Sequence, residues 1–230
     1  MKNRMKKCKI SNNVIRRMPR YLRKLDELKE IGIIRISSAE LGMELGLTPS
    51  QIRQDFSCFG EFGQQGYGYN VCSLRDSIAS VLGMNRRYKV IIVGVGNIGR
   101  ALIDNFCFSA WGLDLVAAFD KDVTDKEALH NGVPIYGVEE IHDFILRQHV
   151  DIAVLAVPGI VAKSVATNLS YLGIGAIWNF TNVDITYPHS EILVENMHFS
   201  DSLLALSYYV TEKNDVLAKK ECCSQDIKQE

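Results

Sequence analysis

The chain has 230 residues, a hydrophobic content of 47% and a formal net charge of −1. Its length suits one large domain or two small ones, and its longest apolar runs, such as residues 152–158, are far shorter than the ~20 residues that a bilayer requires. No apolar segment follows the basic N-terminus, so we expect neither a signal peptide nor a membrane anchor. Six cysteines without CxxC spacing argue against a zinc site and favour a reducing, cytoplasmic setting.

The two halves of the chain differ in charge. Residues 1–88 contain 16 Lys and Arg against 8 Asp and Glu, whereas residues 89–230 contain 10 against 19. A basic first half beside an acidic second half indicates a polyanionic partner for the first half alone. A solvated basic tail is the alternative, because residues 2–9 supply five of the positive charges.

Three helices are predicted before residue 60. After a disordered arm over residues 1–10, a helix starts at Ser11, with apolar residues spaced by three and four, and Gly32 ends it. Residues 33–36 are predicted to form a short strand, and residues 37–40 cap a second helix that runs to Met43. The third helix runs from Gln51 to about Phe59, with Thr48 as N-cap, Pro49 first and Gln51 completing a capping box.

Two short helices joined by a turn that contains glycine are typical of a helix-turn-helix. The second of them is predicted to contact base edges and phosphates, with Ile52 and Phe56 facing inward. Residues 60–69 are rich in glycine and aromatic residues, which favours a β-hairpin wing. The predicted DNA-binding residues are Arg16, Arg17, Arg20, Ser50, Gln51, Arg53, Gln54 and Tyr67. The alternative is that residues 12–85 form only a small helical cap on an enzyme.

The second half opens with a dinucleotide-binding pattern. Four β-branched residues, Val90 to Val93, are followed by Gly94-Val95-Gly96-Asn97-Ile98-Gly99, a helix to Phe106 and a strand over residues 115–119 that ends in Asp120. In such a unit the three glycines permit a tight turn, the approach of a pyrophosphate and close helix packing. Asp120 can accept hydrogen bonds from an adenosine ribose and repels a 2′-phosphate, which favours NAD over NADP. The alternative is a glycine turn that binds another nucleotide or none.

The remaining residues continue the α/β alternation. Strands are predicted at 133–136, 151–157, 174–178 and 192–194, and helices at 138–148, 160–172 and 199–212. The last helix is apolar on more than one face, so we expect it to bury against a partner chain as well. The predicted organisation is therefore α/β. A winged-helix DNA-binding domain covers residues 1–85 and includes a connecting helix, 74–82, which leads to a junction at 83–87. A Rossmann-type domain with a terminal dimerisation helix covers residues 86–212, and residues 213–230 form a disordered tail.

With these motifs placed, the chain resembles the Rex family of redox-sensing transcriptional repressors. The resemblance extends from about Ile10 to Val210. It is carried by residues 17–22, 35–38 with 40–42, 48–55, 59–63 with 66–70, 94–99, 118–120, 157–158, 179–180 and 194–196. It implies a homodimer that binds a palindromic DNA operator, with the terminal helix of each chain swapped onto the other. It also implies that NADH releases DNA, that NAD+ permits binding, and that Lys121, Val157 and Pro158 join the glycine turn and Asp120 at the cofactor.

Several positions depart from the family's pattern. Asn105 stands where a tyrosine is usual, and His198 where an aspartate is usual. In the family these two positions and an arginine, matched here by Arg23, form an interdomain relay. On the DNA side, Gln54 and residues 64–65 stand where basic residues are common. We therefore expect operator binding to respond less steeply to NADH than in a relative with an intact relay.

Two other functions compete at this stage. An NAD-dependent oxidoreductase needs a general acid or base, and the only candidate polar cluster is Asp184 with His189. A thiol redox switch would use Cys107 or the pair Cys222-Cys223, although no neighbouring residue in the sequence lowers a thiol pKa visibly. No metal site is predicted.

Overall fold

The structure is a computed structural model. It describes residues 10–58, 63–64, 67–123, 129–187 and 192–226, and of residues 63–64 and 215–226 it describes the backbone alone. The chain forms two compact units, Met1–Arg87 and Tyr88–Glu230. This division falls two residues after the predicted boundary, within the predicted junction.

The first helix of unit 1, α1 (Asn12–Glu30), begins where the sequence predicts. The side chain of Ser11 caps it by accepting a hydrogen bond from the Val14 N–H, which satisfies one of the free donors of the first turn. Its apolar residues at spacings of three and four are buried and form the core of the unit. After α1, Gly32 adopts a positive φ of 77°, which glycine tolerates without steric cost.

The next two helices form the predicted helix-turn-helix. Helix α2 (Ser38–Leu45) has a complete capping box between Ser37 and Glu40, and Gly46 ends it in the left-handed conformation. Helix α3 (Pro49–Ser57) begins after Thr48, whose hydroxyl accepts from the Gln51 N–H. The predicted capping box of α3 is wrong. The Gln51 amide donates instead to Asp55, one turn further along the helix, at 2.9 Å.

A three-stranded antiparallel sheet completes unit 1. Strand β1 (Arg35–Ile36) and strand β2 (Gly63–Gln64) both pair with β3 (Gly68–Asn70). The β2–β3 pair confirms the predicted hairpin, of which residues 60–62 and 65–66, like Phe59 before it, lie outside the described residues. Helix α4 (Val71–Val81) begins three residues earlier than predicted because the Asn70 side chain caps it.

Unit 2 is built on a sheet in the order β10-β9-β8-β4-β5-β7-β6. All neighbours are parallel except β6 and β7. The strands are β4 (Tyr88–Val93), β5 (Leu113–Asp120), β6 (Leu129–His130), β7 (Val133–Gly137), β8 (Ile152–Leu155), β9 (Ala176–Asn179) and β10 (Leu193–Asn196). The sequence analysis missed β6, although Asn131-Gly132 beside it is a strong hairpin signal, with both residues at positive φ.

Three helices and the loops beside them cover the sheet: α5 (Asn97–Asn105), α6 (Ile141–Arg147) and α7 (Gly159–Tyr171). Two clusters of buried apolar residues form the core, one on each face of the sheet. The predicted helix over 138–148 is shorter than expected. Residues Val138–Glu140 form a separate 3-10 turn before α6, and a second 3-10 turn, Phe108–Trp111, precedes β5.

The last helix, α8, spans Phe199–Asp226. The predictions that it ends at Glu212 and that residues 213–230 are disordered are therefore wrong over residues 213–226. This segment contains neither glycine nor proline, so nothing in its sequence ends the helix at Glu212. The side chains of residues 199–214 are all exposed, although many of them are apolar.

Candidate functional site

A cavity of about 770 Å³ lies at the carboxyl ends of β4, β5 and β8. In this sheet the strand order reverses between β4 and β8, and ligands of open α/β sheets bind in the crevice at such a reversal. Seven of the ten predicted cofactor residues line the cavity: Gly94, Val95, Gly96, Asp120, Lys121, Val157 and Pro158. Asn97 and Ile98 line a second cavity of about 420 Å³ on the exposed side of α5, together with Phe106, Phe180 and Phe199.

The glycine turn has the geometry that the sequence predicts. Gly94 has a φ of 99°, and a Cβ there would lie 2.5 Å from the Ala156 carbonyl oxygen. A Cβ on Gly99 would collide with the Gly94 carbonyl, so this glycine permits α5 to pack closely on the turn. Around Gly96 the space is open, as the approach of a phosphate would require.

The carboxylate of Asp120 is held in place by two backbone donors. Its Oδ2 accepts from the Val95 N–H at 2.6 Å, and its Oδ1 accepts from the Asp122 N–H at 3.0 Å. Val95 thus orients the carboxylate, and its N–H is not free for a phosphate. A carboxylate has about four acceptor positions, so Asp120 retains capacity for a ribose hydroxyl.

Arg100 lines the cavity and was missed by the sequence analysis. Its Nε donates to the Val95 carbonyl oxygen at 3.0 Å, which ties the guanidinium to the glycine turn. Its position directly after Gly99, in the first turn of α5, could have indicated this role. A second missed group is on α7, where Val161, Val165 and Leu169 form much of the apolar wall; Asn168 of the same helix and Leu172, directly after it, also line the cavity.

The two relay positions of unit 2 make contacts within their own unit. Asn105 donates to the Ala101 carbonyl oxygen at 3.0 Å. The His198 Nε2 lies 2.8 Å from the Asp184 carboxylate, and the hydrogen bond that this carboxylate accepts raises the pKa of His198 above its ordinary value. The third relay residue, Arg23, is exposed on α1 of unit 1. Asp184 thus has a partner, whereas His189 lies outside the described residues.

In unit 1 the outer face of α3 exposes Ser50, Arg53 and Gln54. Ile52 and Phe56 are buried, as predicted. One nitrogen of Arg53, Nη1, donates to the Ser38 hydroxyl at 3.0 Å. Beside this face, Tyr67 of the wing is 69% exposed.

Arg16, Arg17 and Arg20 of α1 were predicted to bind DNA, and for Arg17 the structure gives a different role. Its guanidinium makes a two-point ion pair with the buried carboxylate of Asp55. Burial alone would disfavour the negative charge of this carboxylate. Arg20 donates to the Leu45 carbonyl oxygen at 2.6 Å and so caps the end of α2. Arg16 remains on the exposed face of α1.

The described residues offer no group of three or more His, Cys, Asp or Glu side chains that could hold a metal ion. Cys58, Cys72 and Cys107 are free thiols, and the Cys107 Sγ lies 3.7 Å from the Ser109 hydroxyl. Cys8 lies outside the described residues, and the side chains of Cys222 and Cys223 are not described. Within the described part of the chain, no helix is long and apolar enough to cross a membrane.

A helix-turn-helix unit with an exposed polar reading face, followed by a Rossmann-type unit, defines a class of nucleotide-linked DNA-binding proteins. Comparisons with known proteins agree with this class. The family model "Putative DNA-binding protein N-terminus" matches residues 9–57, and the model "CoA binding domain" matches residues 85–183.

The redox-sensing transcriptional repressor Rex of Caldicellulosiruptor saccharolyticus is 45% identical over 216 residues, which cover 94% of this chain and 97% of that protein. The structure is also similar to RSP, a Rex-family repressor. The complex of RSP with beta-NAD+ and operator DNA matches with 41% identity and a TM-score of 0.83, over 93% of this chain and 98% of that one. The complex with beta-NADH matches with 39% identity and a TM-score of 0.83, over 93% and 99%. The chain belongs to the Rex family of redox-sensing transcriptional repressors.

Proposed function

We propose that this protein is a homodimeric repressor that binds a palindromic DNA operator through α3 and its wing, and that NADH binding in the sheet cavity releases the DNA while NAD+ permits binding. One observation carries the proposal. The fixed carboxylate of Asp120 stands beside a glycine turn, in a chain whose other unit presents a helix-turn-helix.

The DNA surface is argued from α3. Its exposed residues Ser50, Arg53 and Gln54 can hydrogen-bond base edges, and Arg53 can contact a guanine with two N–H groups. Arg16 and Arg20 on α1 are candidates for phosphate contacts, because neither is buried. The exposed Tyr67 lies where a wing would meet the DNA backbone or the minor groove. RSP, to which this chain is similar, has been solved with operator DNA.

The cofactor assignment is argued from charge and shape. Asp120 accepts from two backbone donors, and a further acceptor position can take a ribose hydroxyl. A 2′-phosphate beside this carboxylate would be repelled, so NAD(H) is favoured over NADP(H). The apolar wall from α7 suits the flat face of a base. RSP has been solved with beta-NAD+ and with beta-NADH.

The homodimer is argued from α8. Large apolar side chains on this helix are 51–67% exposed: Phe199, Leu203, Leu204, Leu206, Tyr208, Tyr209 and Val210. Monomeric soluble proteins rarely expose so continuous an apolar surface, and most helices in proteins are stabilised by the packing of an apolar face. A second copy of the chain, receiving α8 by a swap, would cover it. The proposed location is the cytoplasm, because a repressor has to reach chromosomal DNA.

The test begins with selection of a duplex from a random library by the wild-type protein. Binding to this duplex is then measured by fluorescence anisotropy while NADH and NAD+ are titrated separately. We expect a palindromic sequence, bound tightly with NAD+ and released by NADH. Equal affinity with both cofactors, or steady consumption of NADH during the titration, would contradict the proposal.

A further inference from the structure

Two neighbouring serines at the start of α2 have different partners. The Ser37 hydroxyl accepts from the Glu40 N–H at 3.1 Å and is the N-cap of the helix. The Ser38 hydroxyl accepts from the Arg53 guanidinium at 3.0 Å, 15 positions away. Because Ser37 already caps α2, the hydroxyl of Ser38 is not required to start the helix.

The contact occupies one nitrogen of Arg53 and leaves the others available. Nη1 donates to Ser38, and among the described residues Arg53 has no second hydrogen-bond partner. Contact with guanine O6 and N7 uses two parallel N–H groups of the planar fork. Nε and Nη2 form one edge of that fork, so the anchored guanidinium can still make the two-point contact.

The guanidinium also lies within electrostatic reach of the wing strand. Burial raises the pKa of Tyr69 on β3, and the charge of Arg53 opposes that rise. Arg53 is thus hydrogen-bonded to the start of α2 and close enough to the wing strand to act on Tyr69. An unattached arginine side chain has many rotamers, and binding to a base has to overcome the entropy of fixing one of them. A guanidinium already held at one nitrogen loses less freedom when it meets a base.

We propose that Ser38 is a positioning residue, which holds the Arg53 guanidinium in the orientation that reads one base pair of the operator. The inference rests on the proposed function, because it takes α3 as the reading helix. It assigns to Ser38 a part in sequence discrimination and to Ser37 a part in folding alone.

The experiment is a double-mutant cycle on the duplex selected by the wild-type protein, with a scrambled duplex of equal composition as the non-specific probe. The variants are Ser38→Ala, Arg53→Ala and both together, with Ser38→Thr as the conservative replacement and Ser37→Ala as the matched control. We expect Ser38→Ala to weaken binding to the selected duplex about 3- to 10-fold, and to leave binding to the scrambled duplex unchanged. In the Arg53→Ala background, Ser38→Ala should cause no further loss of affinity for the selected duplex. Ser38→Thr should bind this duplex with wild-type affinity, because threonine keeps the hydroxyl.

Single base-pair substitutions in the selected duplex sharpen the test. Ser38→Ala should reduce discrimination at the same base pair as Arg53→Ala and at no other. Ser37→Ala should lower the melting temperature through loss of the cap, and keep wild-type discrimination at a temperature where the protein is folded.

Wild-type affinity in Ser38→Ala would overturn the inference. So would an equal loss in the presence and absence of Arg53, which would show that Ser38 contacts a phosphate directly. If the wild-type protein fails to prefer the selected duplex over the scrambled one, the proposed function itself fails, and the inference fails with it. The two failures are therefore distinguishable.

Discussion

Arg17 on α1 and Asp55 on α3 form a two-point ion pair, with Nε 2.7 Å from Oδ2 and Nη2 2.7 Å from Oδ1. The Asp55 side chain is completely buried, whereas that of Arg17 is 28% exposed. Tyr21 donates to the same carboxylate at 2.6 Å, and Gln51 donates at 2.9 Å. Burial alone would raise the pKa of Asp55, but these hydrogen bonds outweigh burial and lower it. The reading helix is thus fixed to α1 through a single carboxylate.

The first prediction concerns stability. Arg17→Met should lower the free energy of unfolding by about 3–5 kcal/mol, because it leaves a buried carboxylate without its cation. Lys24→Met on the same helix is the matched control. Lys24 pairs with the exposed carboxylates of Glu27 and Glu44, so its loss should matter far less. Urea unfolding followed by circular dichroism gives both values.

The same pair predicts a dependence on pH. The pKa of Asp55 is lowered in the folded protein. Its contribution is therefore fully present above the ordinary Asp value of about 3.9 and is lost as the pH falls through the lowered folded value. The difference between wild type and Arg17→Met should shrink in acid. Equal stabilities of Arg17→Met and Lys24→Met at neutral pH would show that the pair does not hold α3.

The second prediction separates two neighbours on α3. Arg53→Ala should lose ~1–3 kcal/mol of operator binding, mostly at one base pair, if its contact is bidentate. Gln51→Ala should instead act mainly on stability, because its amide holds Asp55. Operator titrations and thermal melts of both variants check this. An Arg53→Ala protein with unchanged operator affinity would remove α3 from the reading role.

The third prediction concerns cofactor choice. Wild-type protein should bind NADH more tightly than NADPH, because a 2′-phosphate would stand beside the Asp120 carboxylate. Asp120→Asn keeps an acceptor for the Val95 N–H but removes the charge, so the preference should narrow. Gly96→Val should abolish binding of both by filling the open space at the turn. Isothermal titration calorimetry measures all three, and equal wild-type affinities would refute the assignment.

The fourth prediction concerns α8. Leu203→Glu with Leu206→Glu should convert the dimer to a monomer, because both side chains are exposed in the single chain and would become buried between copies. Ser202→Glu places a negative charge on a polar position of the same helix and should leave the dimer intact. Sedimentation velocity distinguishes the two states. A wild-type monomer at all concentrations would contradict the proposed homodimer.

The fifth prediction concerns ligand coupling. The Asp184 carboxylate raises the pKa of His198, so His198 keeps its positive charge to higher pH than an ordinary histidine. In the relay that the family resemblance implies, a charged His198 would repel Arg23 rather than pair with it. His198→Asp with Asn105→Tyr should therefore increase the NADH effect on operator release. Operator affinity with and without saturating NADH should be measured in both proteins. A large wild-type effect to which the double variant adds nothing would exclude this relay as the coupling element.

The local elements of the fold followed from the sequence because their causes are local. The cap at Thr48 and the turn at Gly94 lie within a few residues of the structures that they determine. The parallel pairing of β4 with β5 also followed, since a strand, a glycine turn, a helix and a strand ending in an acid specify one parallel unit. The end of α8 did not follow, because a charged segment was predicted to be disordered although it contains no glycine or proline that would end the helix.

The polar side chains that pair across different elements were decided by tertiary structure alone. Asp55 lies 38 positions from Arg17, and Ser38 lies 15 positions from Arg53. Periodicity and capping patterns describe neighbours along one element, so they carry no information about which polar groups meet across two elements. Arg17 and Gln51 were therefore assigned to DNA from their charge and polarity, whereas burial of Asp55 gave both a structural role. A buried carboxylate must find donors, and only the packed fold determines which donors are within reach.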